Sequence, residues 1–239
     1  MKNYFGKVMI ATTEESGADA IAPDVISRAE IVTKWPILAY LITAAFCMGL
    51  STTCHLCWVK DAKVSRLVTY LDYWGIALLL LGSAYPYISY KYACGPYIVW
   101  RYIFTSIIAL LTIICMWASI QKDWITPCRR MILFLLFSAS CLIPVLLLYF
   151  WHDPRYSLDY RFGTYWWPVA ANAIGSIIYI QRIPERWSNT GRFDYFGASH
   201  QIFHVFVLIA MVLGFREHLA LYEERAAFTC PNSAAVPSF

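Results

Sequence analysis

His200 and His204 stand four residues apart where the polar stretch 193–199 runs into a long apolar segment. On a helix this spacing stacks both imidazoles on one face, one turn apart, where they could grip a single ion. Imidazoles at the mouth of a membrane span are costly to bury, and capping a helix end or meeting headgroups is the simpler role open to them. Two other segments carry polar groups at a comparable position. Ser51 and His55, again four apart, lie near the end of the first apolar run, and Asp72 lies just inside the second.

Three His and one Asp near one depth read as a metal site. Three neutral imidazoles suit Zn²⁺ and leave a fourth position open, the pattern of catalytic rather than structural zinc. Such an ion acidifies a water that it holds. Asp72 could hold that water and accept its proton, and Ser51 could donate to the oxyanion developing on an attacked carbonyl. A site at bilayer depth makes a lipid amide or ester the natural substrate class. Asp72 could instead cap its helix or face Lys63 or Arg66, and Ser is common wherever membrane helices pack closely. Cys54 and Cys57 flank His55 and suggest thiolate ligation, but on a helix the three side chains diverge and no second cysteine pair completes a set. His152 and His218 fall at the opposite face, away from the cluster, and Arg101 is placed to snorkel.

The elements that must position these groups follow from composition. Of 239 residues, 59% are hydrophobic and only 14% charged, where a soluble domain carries about a quarter charged. Ten Trp and seventeen Tyr, many at the edges of apolar runs, fit aromatic belts at two interfaces. The formal charge of +4 resides in loops, with no basic helix or stacking stripe that would argue for nucleic acid. Six continuous apolar runs, 35–58, 69–91, 97–119, 131–151, 162–181 and 200–217, are each long enough to cross a bilayer. The expected fold is therefore all-α, a polytopic transmembrane helix bundle over 35–218. A polar N-terminal segment, 1–34, precedes it without a cleavable signal, and a tail, 219–239, follows. Pro86, Pro144 and Pro168 fall inside spans, where neighbouring helices can satisfy the freed carbonyls.

Loop charge sets the orientation. The connections after spans one, three and five carry Lys60, Lys63, Arg66, Lys122, Arg129, Arg130, Arg182, Arg186 and Arg192; those after spans two and four carry only Lys91, Arg155 and Arg161. The first set belongs in the cytosol, which brings the His and Asp cluster to the cytosolic face and the C-terminus outside. With six spans the N-terminal segment would also lie outside, although it carries Lys2, Lys7, Arg28 and Lys34. The eight cysteines do not form a disulfide framework, but Cys94 and Cys230 fall on the same side and could form one bridge.

At these residues the sequence resembles the PAQR family, the progestin and adipoQ receptors related to haemolysin III, and within it the adiponectin-receptor branch. The resemblance rests on Ser51 with His55, on Lys63 to Arg66, on Asp72 with Gly75, on Gly82-Ser83 and on Pro86. It continues through Arg182 to Arg186, Gly191 to Asp194, and Ser199 to His204. It covers most of 45–215. The resemblance implies a seven-span fold with a cytosolic N-terminus, of which six spans are visible and the first is missing from this sequence. It implies zinc held by His55, His200 and His204, with Asp72 reaching it through water, and a weak ceramide-hydrolysing activity. Asp194 and the loop from Arg182 to Arg186 belong to the same pattern and read as ordering the loop that presents His200.

Three functions stay open at this level. The first is a zinc-dependent hydrolase of ceramide or a related lipid amide. The second is a receptor for an extracellular ligand, in which zinc staples the spans, as a single chain or a homo-oligomer. The third is an ion relay, disfavoured because no pair of broken helices marks a midplane path.

Overall fold

The computed structural model describes residues 32–57, 61–121, 127–151, 153, 162–187, 191–193 and 196–230. Their regular structure is helical throughout. The helices are α1 (Trp35–Cys57), α2 (Ala62–Lys91), α3 (Tyr97–Ser119), α4 (Pro127–Cys141), α5 (Ile143–Trp151), α6 (Phe162–Ile180) and α7 (Ser199–Ala227), with a 3-10 turn at Glu185–Trp187. Five stretches are long and apolar enough to cross a membrane: Trp35–Cys57, Ala62–Lys91, Tyr97–Ser119, Ile132–Trp151 and Ser199–Ala227. The expected span 162–181 is helical over Phe162–Ile180 and packs along α7. The molecule is a multi-pass helical membrane bundle. Phe46, Leu110, Ile113, Leu135 and Leu136 point outward, as a lipid solvent allows.

Several boundaries differ from expectation. Helix α2 begins at Ala62 rather than near 69, because Lys63 and Arg66 end the apolar pattern without ending the helix. Asp72 is therefore well inside α2 and is not its cap; the N-cap is Asp61. Span 131–151 is two helices, interrupted at Leu142 just ahead of Pro144, whose nitrogen has no proton to give the preceding turn. Helix α7 continues to Ala227, past the expected bundle end at 218. Residues 219–227 are good helix formers, and the Lys91–Glu224 ion pair at 3.2 Å and the Tyr90–Tyr222 ring contact hold them to α2. Cys94 and Cys230 are joined by a disulfide, which ties the segment after α2 to the segment after α7.

Small residues set the register of the antiparallel pair α1–α2. A β-carbon on Gly82 would lie 1.9 Å from Thr43 Oγ1, and one on Gly75 would lie 3.0 Å from the Cys47 Cα. Further along the same seam Cys54 Sγ meets Thr69 Oγ1 at 3.9 Å. Only glycine permits so close an approach, and lipid offers no hydrophobic drive to replace it. Helix α7 crosses α1 at Tyr40, whose hydroxyl donates to the Met211 carbonyl at 2.7 Å across the bare Cα of Gly214. The Trp74 indole donates to the Met116 carbonyl at 3.1 Å and ties α2 to α3.

Candidate metal centre

The α1–α2 seam delivers two groups to one end of the bundle. His55 occupies the last turn of α1, and Ser51, one turn deeper, is buried. The Asp72 carboxylate is near enough to Ser51, His55 and His204 to interact with each. The Ser51 hydroxyl nevertheless has no partner of good hydrogen-bond geometry. Asp72 thus faces the histidines rather than Lys63 or Arg66; among the described residues the ion pair is Lys91–Glu224, at the other end.

Helix α7 supplies the other two imidazoles. His200 Nε2 and His204 Nε2 lie 3.1 Å apart, and each meets His55 Nε2, at 3.2 and 3.3 Å respectively. A ring nitrogen presents either a proton or a lone pair in its plane. In a triangle of three such atoms, at least one contact joins two like groups, so no choice of tautomers makes all three hydrogen bonds. Three lone pairs turned on one point resolve the conflict if a cation sits there. A tetrahedral ion with bonds of about 2.0–2.1 Å separates its donors by about 3.3–3.4 Å, close to the three edges observed. His55, His200 and His204 are thus a group that could hold a metal ion.

Asp72 stands outside this compact group, so its carboxylate is not one of the converging donors. Cys54 turns toward Thr69, and neither it nor Cys57 joins the group. His218 is buried far along α7 against the Tyr40 ring, away from the three converging imidazoles. Arg101 lies over the Tyr102 ring and donates to its hydroxyl at 3.3 Å. His152 and Asp194 lie outside the described residues.

Two neighbours complete the surroundings of the centre, one that was not singled out in the sequence and one that was read there only as part of the Arg182 to Arg186 loop. The Tyr179 ring, at the end of α6, packs against His200 with centroids 5.2 Å apart. Its residue type resembles every other interfacial aromatic, so only the α6–α7 register reveals it. Glu185, in the turn after α6, accepts from Ser199, the residue before His200. Burial works against its ionisation. Its own N–H, the hydroxyl and N–H of Ser199 and the nearby Arg182 outweigh that effect and hold the carboxyl below its usual range.

The comparison with known proteins bears on the same residues. A family model described as haemolysin-III related matches residues 8–215, a range that includes Ser51, His55, Asp72, His200 and His204. The chain belongs to the haemolysin-III-related family. Heptahelical transmembrane protein 5 of Arabidopsis thaliana is 33% identical over 224 residues, 91% of this chain and 57% of that relative. Heptahelical transmembrane protein ADIPOR3 of Oryza sativa subsp. japonica is 32% identical over 231 residues, 93% of this chain and 54% of the relative. The adiponectin receptor protein of Drosophila melanogaster is 30% identical over 201 residues, 81% of this chain and 45% of the relative. The chain thus spans about half the length of these relatives. This member of the haemolysin-III-related family is adiponectin-receptor-like, and its matched region ends inside α7, before Cys230.

Proposed function

We propose that the three imidazoles hold Zn²⁺ and that the protein hydrolyses a lipid amide of the ceramide type at the cytosolic membrane face, linking lipid metabolism to signalling. The observation that carries the reading is the Nε2 triangle, whose edges of 3.1–3.3 Å suit a tetrahedral ion and which no choice of tautomers satisfies with three hydrogen bonds. A zinc ion there supplies Lewis acidity toward a carbonyl and acidifies water. Asp72, beside the triad but not in it, takes the proton of the attacking water and returns it to the amide nitrogen as the C–N bond breaks, releasing a carboxylate and an amine. The buried hydroxyl of Ser51, beside the Asp72 carboxylate, is the donor that would turn to the developing oxyanion. Lipid-facing helix surfaces around the site favour a substrate that arrives through the bilayer.

The orientation has two supports from different chemistry. Basic residues concentrate at the metal end, and the Cys94–Cys230 disulfide lies at the other end. Disulfides persist in oxidising compartments, while the cytosol keeps thiols reduced. The C-terminus therefore belongs to the extracellular or lumenal side.

A second reading has its own observation. The triad joins the end of α1 to the start of α7, so zinc would also staple the bundle as in a receptor without turnover, and the name of the fly relative points that way. The deciding experiment measures zinc content and turnover on a panel of ceramides with the purified protein. Zinc-loaded protein should hydrolyse ceramide, and Asp72→Ala should abolish turnover while keeping the metal. Full zinc without turnover on any lipid amide removes the enzyme and leaves the staple. No zinc removes both.

A further inference from the structure

The first turn of α7 carries His200 but lacks a cap of its own. Ala198 holds the N-cap position with an extended backbone, φ −63° and ψ 147°, and no side-chain oxygen. A Ser, Thr, Asp or Asn there would accept one of the unpaired N–H groups of the first turn. The Gln201 side chain reaches back to the N–H groups of Gly197 and Ala198, at 2.7 and 3.3 Å. Ser199 is served from elsewhere. Its N–H and its hydroxyl both donate to Glu185 Oε1, at 2.7 and 2.8 Å. A carboxylate at a helix N-terminus also meets the positive end of the dipole. The missing cap thus comes from the turn that follows α6.

That turn is itself well determined. Helix α6 ends with paired bonds, Ile183 N–H to the Ile178 carbonyl and Arg182 N–H to the Tyr179 carbonyl, both at 3.1 Å. This closure places Arg182 in the left-handed region at φ 52°, a position that usually calls for glycine. The next bonds, Arg186 N–H to the Arg182 carbonyl and Trp187 N–H to the Pro184 carbonyl, close the turn on which Glu185 sits. Tyr179, the penultimate residue of α6, packs against His200. The end of α6 therefore holds the start of α7 through a ring contact and a carboxylate.

We infer that Glu185 is a positioning residue of the metal centre, fixing the first turn of α7 and with it the direction of His200. The inference rests on the zinc reading above. An uncapped first turn frays, and His200 is only the second residue of the helix, whereas His204 lies a turn deeper. Loss of the carboxylate should therefore disturb His200 more than its partner.

The test uses full-length protein with zinc affinity measured by chelator competition, together with the visible spectrum of the cobalt-substituted form. Glu185→Ala should bind zinc about tenfold more weakly and shift the cobalt bands. Glu185→Gln, which keeps an acceptor oxygen, should recover most of that loss. Lys91→Ala, a destabilising change at the far end, should leave affinity and spectrum alone, which separates positioning from general loss of stability. If Glu185→Ala does not fold, Ser199→Ala carries the test, because it removes one of the two bonds and should weaken zinc by a few-fold. A zinc-loaded wild type whose Glu185 and Ser199 variants keep its affinity and spectrum overturns this inference alone. A wild type without zinc overturns it together with the zinc reading.

Discussion

Gly75→Ala puts the packing account of the site at risk most directly. Its new β-carbon would lie 3.0 Å from the Cys47 Cα, and 3.6 Å from both the Cys47 carbonyl oxygen and Leu50 Cδ1. Carbons rest at about 3.5–4.0 Å, so α1 and α2 must part by about 0.5–1 Å, and no rotamer change can spare a backbone atom. Gly75 is three residues, about 4.5 Å, along α2 from Asp72, and His55 lies about 12 Å beyond Cys47 on α1. A ligand constellation works only within about 0.5 Å of its productive geometry, so His55 should leave the triangle. Overpacking costs about 1–3 kcal/mol, offset by up to about 1 kcal/mol from the better helix propensity of alanine. The expected net is a loss of about 1–2 kcal/mol and zinc binding about tenfold weaker. Gly49→Ala is the control, since its β-carbon meets nothing within 4 Å, and it should be neutral or slightly stabilising with unchanged zinc affinity. Thermal unfolding in one detergent and chelator competition would compare the two. Equal stability and equal affinity in both variants would refute the account of how the α1–α2 seam places the site.

His204→Ala removes one corner of the triangle and should lose metal and thermal stability together; a chelator added to the wild type should lower its unfolding temperature in the same way, by linkage. Metal content unchanged in His204→Ala would rule the triad out as ligands. Cys94→Ser should destabilise the fold by about 2–4 kcal/mol, since the bond closes a separation of 136 residues, yet leave zinc content at the other end intact. A glycosylation acceptor appended to the C-terminus should be modified in cells, and an unmodified acceptor would reverse the proposed orientation.

Much of the fold was legible from apolar run length. The spans expected at 35–58 and 97–119 match Trp35–Cys57 and Tyr97–Ser119 closely, because charge and proline flank them abruptly. The start of α2 and the end of α7 were missed, because helices built from Lys, Arg and Glu go on after hydropathy stops. The histidines were legible for a local reason as well. A four-residue spacing on a helix fixes a shared face wherever that helix lies, so His200 and His204 paired before any fold was known.

What the sequence by itself determined is therefore local: which segments are helical and apolar, which residues share a face, and which end of each span carries the polar groups. The tertiary structure decided what those groups meet. Asp72 could have capped α2 or paired with Arg66, and the close approach of Gly75 to Cys47 turned it toward the histidines instead. Tyr179 and Glu185 gained their places beside α7 from the antiparallel register of α6 and the turn that closes it. The reason is the range of the forces involved. Helical periodicity acts over one turn, whereas the distance between two nitrogens on different helices is set by every contact along the seams between them.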